Sequence, residues 1–156
     1  MQRFWFSFLA LIISLSVFSQ NSHKKQNSNN TVYFELLGSA PIANIAYGRQ
    51  FSVSSNKHIS IDLGIQYAPY YSNKWSLGMS PQLSFLTGTI HHAEIGIACY
   101  YDFYWKEIVP FPKFGYRYQR NAGGFMYKVE FTPLFMMLKP VTTIVPWAGV
   151  AIGWAF

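Results

Sequence analysis

The chain has 156 residues, of which 51% are hydrophobic and 19% aromatic but only 12% charged, whereas an aqueous globular surface needs about a quarter of its residues charged. The formal net charge of +6 is scattered, with no basic run longer than Lys24-Lys25, which leaves no nucleic-acid footprint. Cys99 is the single cysteine, so an internal disulfide is excluded and the fold must be held by other means.

Met1–Ser19 combines a basic start at Arg3 with an apolar run from Phe4 to Phe18 broken only by serines. This is the pattern of a secretory signal peptide, too short for a comfortable transmembrane helix. Cleavage is expected near Ser19 and Gln20, which removes Arg3 and takes the net charge from +6 to +5. No cysteine follows the apolar run, which argues against a lipid anchor. About 135 residues remain, enough for one domain. Residues 20–30 contain the polar, aperiodic run NSHKKQNSNN and are expected to form a flexible periplasmic linker.

From Thr31 onward, alternation of period two recurs with no stretch at helical period. Strands are expected around Thr31 to Leu37 and Ile42 to Phe51. From His58 to Tyr67, Ile59, Ile61, Leu63, Ile65 and Tyr67 oppose His58, Ser60, Asp62, Gly64 and Gln66. From Trp75 to Leu86, the face of Trp75, Leu77, Met79, Pro81, Leu83 and Phe85 opposes that of Ser76, Gly78, Ser80, Gln82, Ser84 and Leu86. Ala93, Ile95, Ile97, Cys99 and Tyr101 then oppose His92, Glu94, Gly96, Ala98 and Tyr100. Two further strands set Phe114, Tyr116 and Tyr118 against Lys113, Gly115, Arg117 and Gln119, and Phe125, Tyr127, Val129 and Phe131 against Met126, Lys128, Glu130 and Thr132. In the last, Trp147 to Phe156, the face of Ala148, Val150, Ile152, Trp154 and Phe156 is apolar, and the opposite one is small apart from Trp147. Small residues suit the inside of a narrow tube.

Eight strands of about ten residues match the smallest even-numbered barrel able to cross a bilayer. The expected fold is therefore all-β, an eight-stranded antiparallel up-and-down transmembrane β-barrel over residues 31–156. Turns near Ser52 to Asn56, Thr87 to His91 and Arg120 to Gly124 would face the periplasm. Gly38 to Pro41, Pro69 to Asn73, Asp102 to Ile108 and Met136 to Val145 would form outer loops, none long enough for a plug or a binding cap. Pro81 in mid-strand predicts a bulge. Arg49 faces outward by simple alternation, or inward toward Glu35 if Gly48 bulges.

The charges give the strongest physical check. Glu35, Asp62, Glu94 and Glu130, four of the six acids, share the face opposite the apolar stripe with Lys113, Arg117 and Lys128. A basic residue on the lipid face at mid-bilayer would cost about 2–4 kcal/mol. Seven charges of mixed sign inside a narrow tube must pair, which predicts a filled lumen and no open pore.

The runs HHAEIGIACYYD from His91, FGYRYQRNAGGFMYKVEFTPLF from Phe114 and WAGVAIGWAF from Trp147 resemble the small outer-membrane β-barrel proteins of Bacteroidota, most of which have no assigned activity. The resemblance spans about Thr31 to Phe156 and implies fold and location in the bacterial outer membrane, without catalytic residues. Trp154 and Phe156 resemble the signal read by the outer-membrane assembly machinery, which the resemblance implies as a transient partner.

Candidate chemistry is sparse. His58, Ser60 and Asp62 share one inward face, but residues two apart on a strand are about 6–7 Å apart, too far for a direct Ser-His-Asp relay. His91, His92 and His58 could ligate a metal, yet adjacent strand positions point to opposite faces. No catalytic residue, metal or cofactor is therefore assigned. Lys74, Lys106 and Lys139, one in each of three outer loops, are candidate contacts for lipopolysaccharide phosphates. Trp75, Tyr104, Trp105, Trp147 and Trp154 are candidate interfacial anchors among the outer-membrane lipids. The expected function is that of a non-enzymatic envelope protein with a structural or interaction role. A small pore, an apolar-ligand carrier and a lipid-modifying outer-membrane enzyme are the alternatives; a carrier would need an apolar interior, and such an enzyme would need polar groups at the outer leaflet.

Overall fold

Among the described residues, period-two patterning yields ten strands: β1 (Asn30–Leu37), β2 (Ala43–Ser54), β3 (Lys57–Tyr70), β4 (Lys74–Gly88), β5 (His91–Asp102), β6 (Ile108–Gln119), β7 (Gly124–Phe131), β8 (Leu134–Leu138), β9 (Val141–Val145) and β10 (Ala148–Ala155). The structure is a computed structural model that describes residues 28–70, 74–104, 106, 108–138 and 141–156. The expected leader over 1–19 and most of the expected linker lie outside the described residues.

Strands β1 to β7 and β10 close an eight-stranded antiparallel barrel in which β1 to β7 pair in sequence order, β7 pairs with β10 across the intervening β8 and β9, and β10 pairs with β1. Strand β10 closes the sheet against β1 in the register Thr31↔Ala155 through Leu37↔Gly149. Paired main-chain bonds between Asn30 and Phe156, 2.9 and 3.1 Å long, extend the seam to the rim. That proximal rim also carries the turns that follow β2, β4 and β6; the connections after β1, β3 and β5 lie at the distal rim.

Several expectations change. Ser28–Asn30, assigned to the flexible linker, belong to the barrel: the Ser28 amide donates to the Asn121 carbonyl at 2.8 Å, the Gln50 amide donates to Asn29 at 2.7 Å, and Asn30 opens β1. Met136 to Val145, expected as a loop, contributes to a hairpin of β8 and β9. Its register, Leu134↔Val145 to Leu138↔Val141, continues that of β7 and β10, Gly124↔Ala155 to Phe131↔Ala148. Pro133 and Pro146 face each other where the two sheets separate, because neither has an N–H for the ladder. No bulge forms at Pro81: it pairs with Leu63 in an unbroken β3–β4 register, and Gly78↔Asp102 and Gln82↔Ala98 belong to one register on the β5 side. The pairing with β5 lapses between Met79↔Tyr101 and Gln82↔Ala98, so the proline opens a gap without inserting a residue. Strand β2 shifts register only between Ser52 and Ser54, not at Gly48. Arg49 is accordingly exposed on the outer face, its guanidinium 5.6 Å from the centre of the Phe51 ring.

The burial pattern inverts that of a soluble sheet. Ile61 and Ile95 are each 53% exposed and Val150 is 52% exposed, while Lys113 and Arg117 have no exposed surface. The apolar interior is small, a cluster of Tyr33, Ala46, Met126 and Ala151. Leu86, Ala98 and Phe111 are buried apart from that cluster, and polar side chains make up most of the remaining interior.

Candidate functional site

Inward parity brings Glu35 on β1, Asp62 on β3, Glu94 on β5, Lys113 and Arg117 on β6, and Lys128 and Glu130 on β7 to the barrel axis. Six ion pairs string them into one chain of alternating sign. Lys128 lies 2.9 Å from both Glu35 and Glu130; Lys113 lies 3.2 Å from Glu130 and 2.9 Å from Glu94; Arg117 lies 3.0 Å from Glu94 and 2.9 Å from Asp62. Each base therefore bridges two acids, which is how low-dielectric burial of seven charges becomes tolerable. The Lys128–Glu35 contact is close but lacks hydrogen-bond alignment at Glu35 Oε2. Glu35 instead accepts the Ser39 amide at 2.6 Å, and the Ser39 hydroxyl donates to Glu130 at 2.6 Å.

Three neutral residues tie the chain across the lumen. The Tyr33 hydroxyl donates to Asp62 at 3.2 Å, while Lys128 sits 4.4 Å from the centre of the same ring. Tyr33 thus joins Lys128 to Asp62, and the charges form a ring with Glu35 as a branch. Gln82 accepts from Lys113 at 2.6 Å and from Lys128 at 3.4 Å. Ser60 donates to Asp62 at 2.7 Å and accepts from Arg117 at 3.3 Å. Sequence reasoning named the seven charges but not Tyr33, Ser39, Ser60 and Gln82 as their partners. Parity alone carried a signal for Tyr33, Ser60 and Gln82, since each lies on the inward face beside or opposite a charge.

Backbone shape serves the same cluster. Gly48 faces the Asp62 carboxylate so closely that a Cβ would overlap it. Gly38 adopts φ +69°, a region that favours glycine, in the turn after β1, and its surroundings are the Glu35 and Glu130 carboxylates.

The other candidates separate. Ser60 and Asp62 do bond directly, but His58 hydrogen-bonds Ser52 at 3.1 Å and Asp62 is committed to Arg117, so no Ser-His-Asp relay forms. His91 points outward to the Tyr116 hydroxyl, whereas His92 points inward beside His58, with ring centres 5.5 Å apart. Lys106 is exposed near the distal rim. Lys74 opens β4, with its side chain outside the described set, and Lys139 lies outside the described residues. Trp154 and Phe156 face outward and Trp147 is half-buried. The Trp75 side chain and Trp105 are likewise not described, and Tyr104 is exposed. Around the proximal rim the outer face carries Tyr116, Tyr118, Phe125 and Tyr127, with Tyr118 stacked on Tyr127 at 5.1 Å and the Tyr47 hydroxyl bonded to Asn30 at 2.9 Å. Those tyrosines were not among the anchors expected from sequence.

No family model and no curated protein matches the chain. Among solved structures it is similar to the crystal structure of the N-terminal β-barrel domain of Pseudomonas aeruginosa OprF, at 12% identity, with a TM-score of 0.48, over 84% of this chain and all of that one.

Proposed function

We propose that this protein is a non-enzymatic β-barrel of the bacterial outer membrane, with a side-chain-filled lumen and a structural or interaction role in the cell envelope. One observation carries this reading: between the rims the outer face is apolar while the ionisable groups converge on the axis. In water that arrangement would expose a continuous apolar surface far larger than a monomer tolerates; in a bilayer it is what solvation demands. The proximal tyrosines favour the headgroup level, where an amphipathic ring satisfies both sides. Arg49 can extend its guanidinium toward the same level. A charged lumen is also the opposite of what an apolar-ligand carrier needs.

On this reading Trp154 and Phe156 present outward aromatics to the assembly machinery, and Lys74, Lys106 and Lys139 meet lipopolysaccharide phosphates; loss of lipopolysaccharide retention on replacing the three lysines together tests the latter. The membrane assignment itself is tested by cysteine labelling. In a Cys99→Ser background, Ile61→Cys, Ile95→Cys and Val150→Cys should resist a membrane-impermeant maleimide in proteoliposomes and react after denaturation in detergent. Free reaction of all three in the intact vesicles would overturn the assignment.

A further inference from the structure

The outer face of β3 to β5 is furrowed. Exposed side chains of Ile59 on β3, Leu83 and Phe85 on β4, and Ile95 and Ile97 on β5 wall a groove of about 380 Å³, to which Gly96 contributes only main chain. Small-molecule sites are concave, mostly apolar and about 300–1,000 Å³ in volume. Strand register arranges the walls in two cross-strand rows, Ile59–Phe85–Ile95 and, farther from the proximal rim, Leu83–Ile97. The same register places a further row on the proximal side of the groove, Lys57–Thr87–Ala93–Tyr116. Lys57, Thr87 and Ala93 are exposed, and each lies two residues along its strand from a groove wall, about 7 Å away and on the same face. The Tyr116 hydroxyl, in the proximal tyrosine girdle, hydrogen-bonds His91. Ala93 is a low point in this row, through which it opens onto the groove.

A cation and a hydroxyl at headgroup level beside an apolar furrow at chain level match an amphiphile standing in one leaflet. We propose that this face binds one glycerophospholipid of the proximal leaflet, its phosphate on Lys57 Nζ and the Thr87 hydroxyl and one acyl chain in the groove. The inference rests on the outer-membrane reading above and names a lipid that the barrel holds. An ammonium and a hydroxyl both donate to phosphate oxygens, and the ammonium bond is charge-assisted. Every acid among the described residues is buried, so none of those carboxylates competes on the outer face for Lys57. Within a bilayer, moving an acyl chain onto the barrel gains no hydrophobic transfer, since lipid tails are as apolar as the protein surface. The groove contributes close packing instead, many small dispersion contacts along a furrow that a straight chain fills. Selectivity therefore falls to the headgroup row.

The test uses the barrel folded in a neutral detergent, titrated with dioleoylphosphatidylglycerol and followed by native mass spectrometry. One lipid per barrel should be retained saturably, and dioleoylglycerol, with the same chains but no phosphate, should be retained at least tenfold less. Lys57→Gln should weaken retention at least fivefold and Ala93→Trp, which fills the low point, at least tenfold. Arg120→Gln, which removes an exposed base of the same rim outside the row, should leave retention unchanged. Migration on unboiled gels shows that each variant has folded. The proposal is overturned by absence of saturable retention, by equal retention of the diacylglycerol, by equal weakening from Lys57→Gln and Arg120→Gln, or by barrels that pair through this face and exclude lipid. Should Ala93→Trp fail to fold, the headgroup comparison and Lys57→Gln decide. A negative result with Ile61→Cys, Ile95→Cys and Val150→Cys still shielded in proteoliposomes removes the lipid site alone, whereas free labelling of all three removes the membrane reading beneath it.

Discussion

Arg117 is the side chain on which most of the lumen depends, because it alone spans Glu94 and Asp62 while also donating to Ser60. Replacing it by alanine leaves the buried Asp62 carboxylate without a cation and Glu94 with Lys113 alone. Removing one partner of a buried pair typically costs about 3–5 kcal/mol. Arg117→Ala should therefore lose about that much unfolding free energy by urea titration in lipid, whereas Lys106→Ala at the exposed distal rim should change it little. On the opposite face the sign reverses: Ile65→Arg places a cation between Ile45 and Met79, where the surface is apolar, and should cost about 2–4 kcal/mol in a bilayer. Equal tolerance of arginine at positions 65 and 106 would contradict the assignment of the outer face to lipid. The seven charges were legible from parity alone, since a strict period of two decides the face of each side chain. Their individual partners were not, because ion pairs such as Lys128–Glu35 and Arg117–Asp62 cross between strands whose shear and spatial order a linear pattern does not encode.

The hairpin of β8 and β9 shows where strand reading from sequence fails. Its two arms are only five residues each, with Pro133 and Pro146 at their bases and Pro140 between them. Prolines normally signal a break, so the segment reads as a loop. In the structure the two basal prolines lie opposite one another and the register passes through them unchanged, with the Thr132 amide donating to the Trp147 carbonyl at 2.7 Å just before the break. Pro81 fails in the other direction: a bulge is the usual escape for a mid-strand proline, but here the β3 pairing holds and the lost bonds are confined to the β5 side. Because the hairpin forms a sheet of its own, it should be dispensable for closure. Replacing Leu134–Val145 by a two-residue Asn-Gly turn should leave gel-shift folding intact and change unfolding free energy by no more than about 1 kcal/mol, the scale of a single net hydrogen bond. Failure of the shortened chain to fold would mean that this hairpin helps nucleate the β7–β10 pairing.

Closure of eight strands leaves an interior just wide enough for side chains, and this barrel fills it with a ring of charges joined through Tyr33. Such a ring resists ion passage in two ways. Its side chains occupy the axis, and a permeating ion would have to break pairs in which every base already holds two acids. Conductance is therefore a property of the network and not of the strand number. The wild-type barrel in a planar bilayer should show no steady single-channel current. Replacing Asp62, Glu94, Lys113 and Arg117 together by serine removes two acids and two bases, leaves the net charge unchanged and shortens four side chains around the axis. The Arg117–Asp62, Arg117–Glu94 and Lys113–Glu94 pairs lose both members, so no orphaned charge remains there; Glu130 gives up Lys113 but, like Glu35, keeps Lys128. That variant should fold and should conduct small ions. A steady current through the wild type would show that the ring is not the seal, and silence in the folded fourfold variant would show that the remaining packing, around Tyr33, Gln82 and Met126, is enough to close the tube.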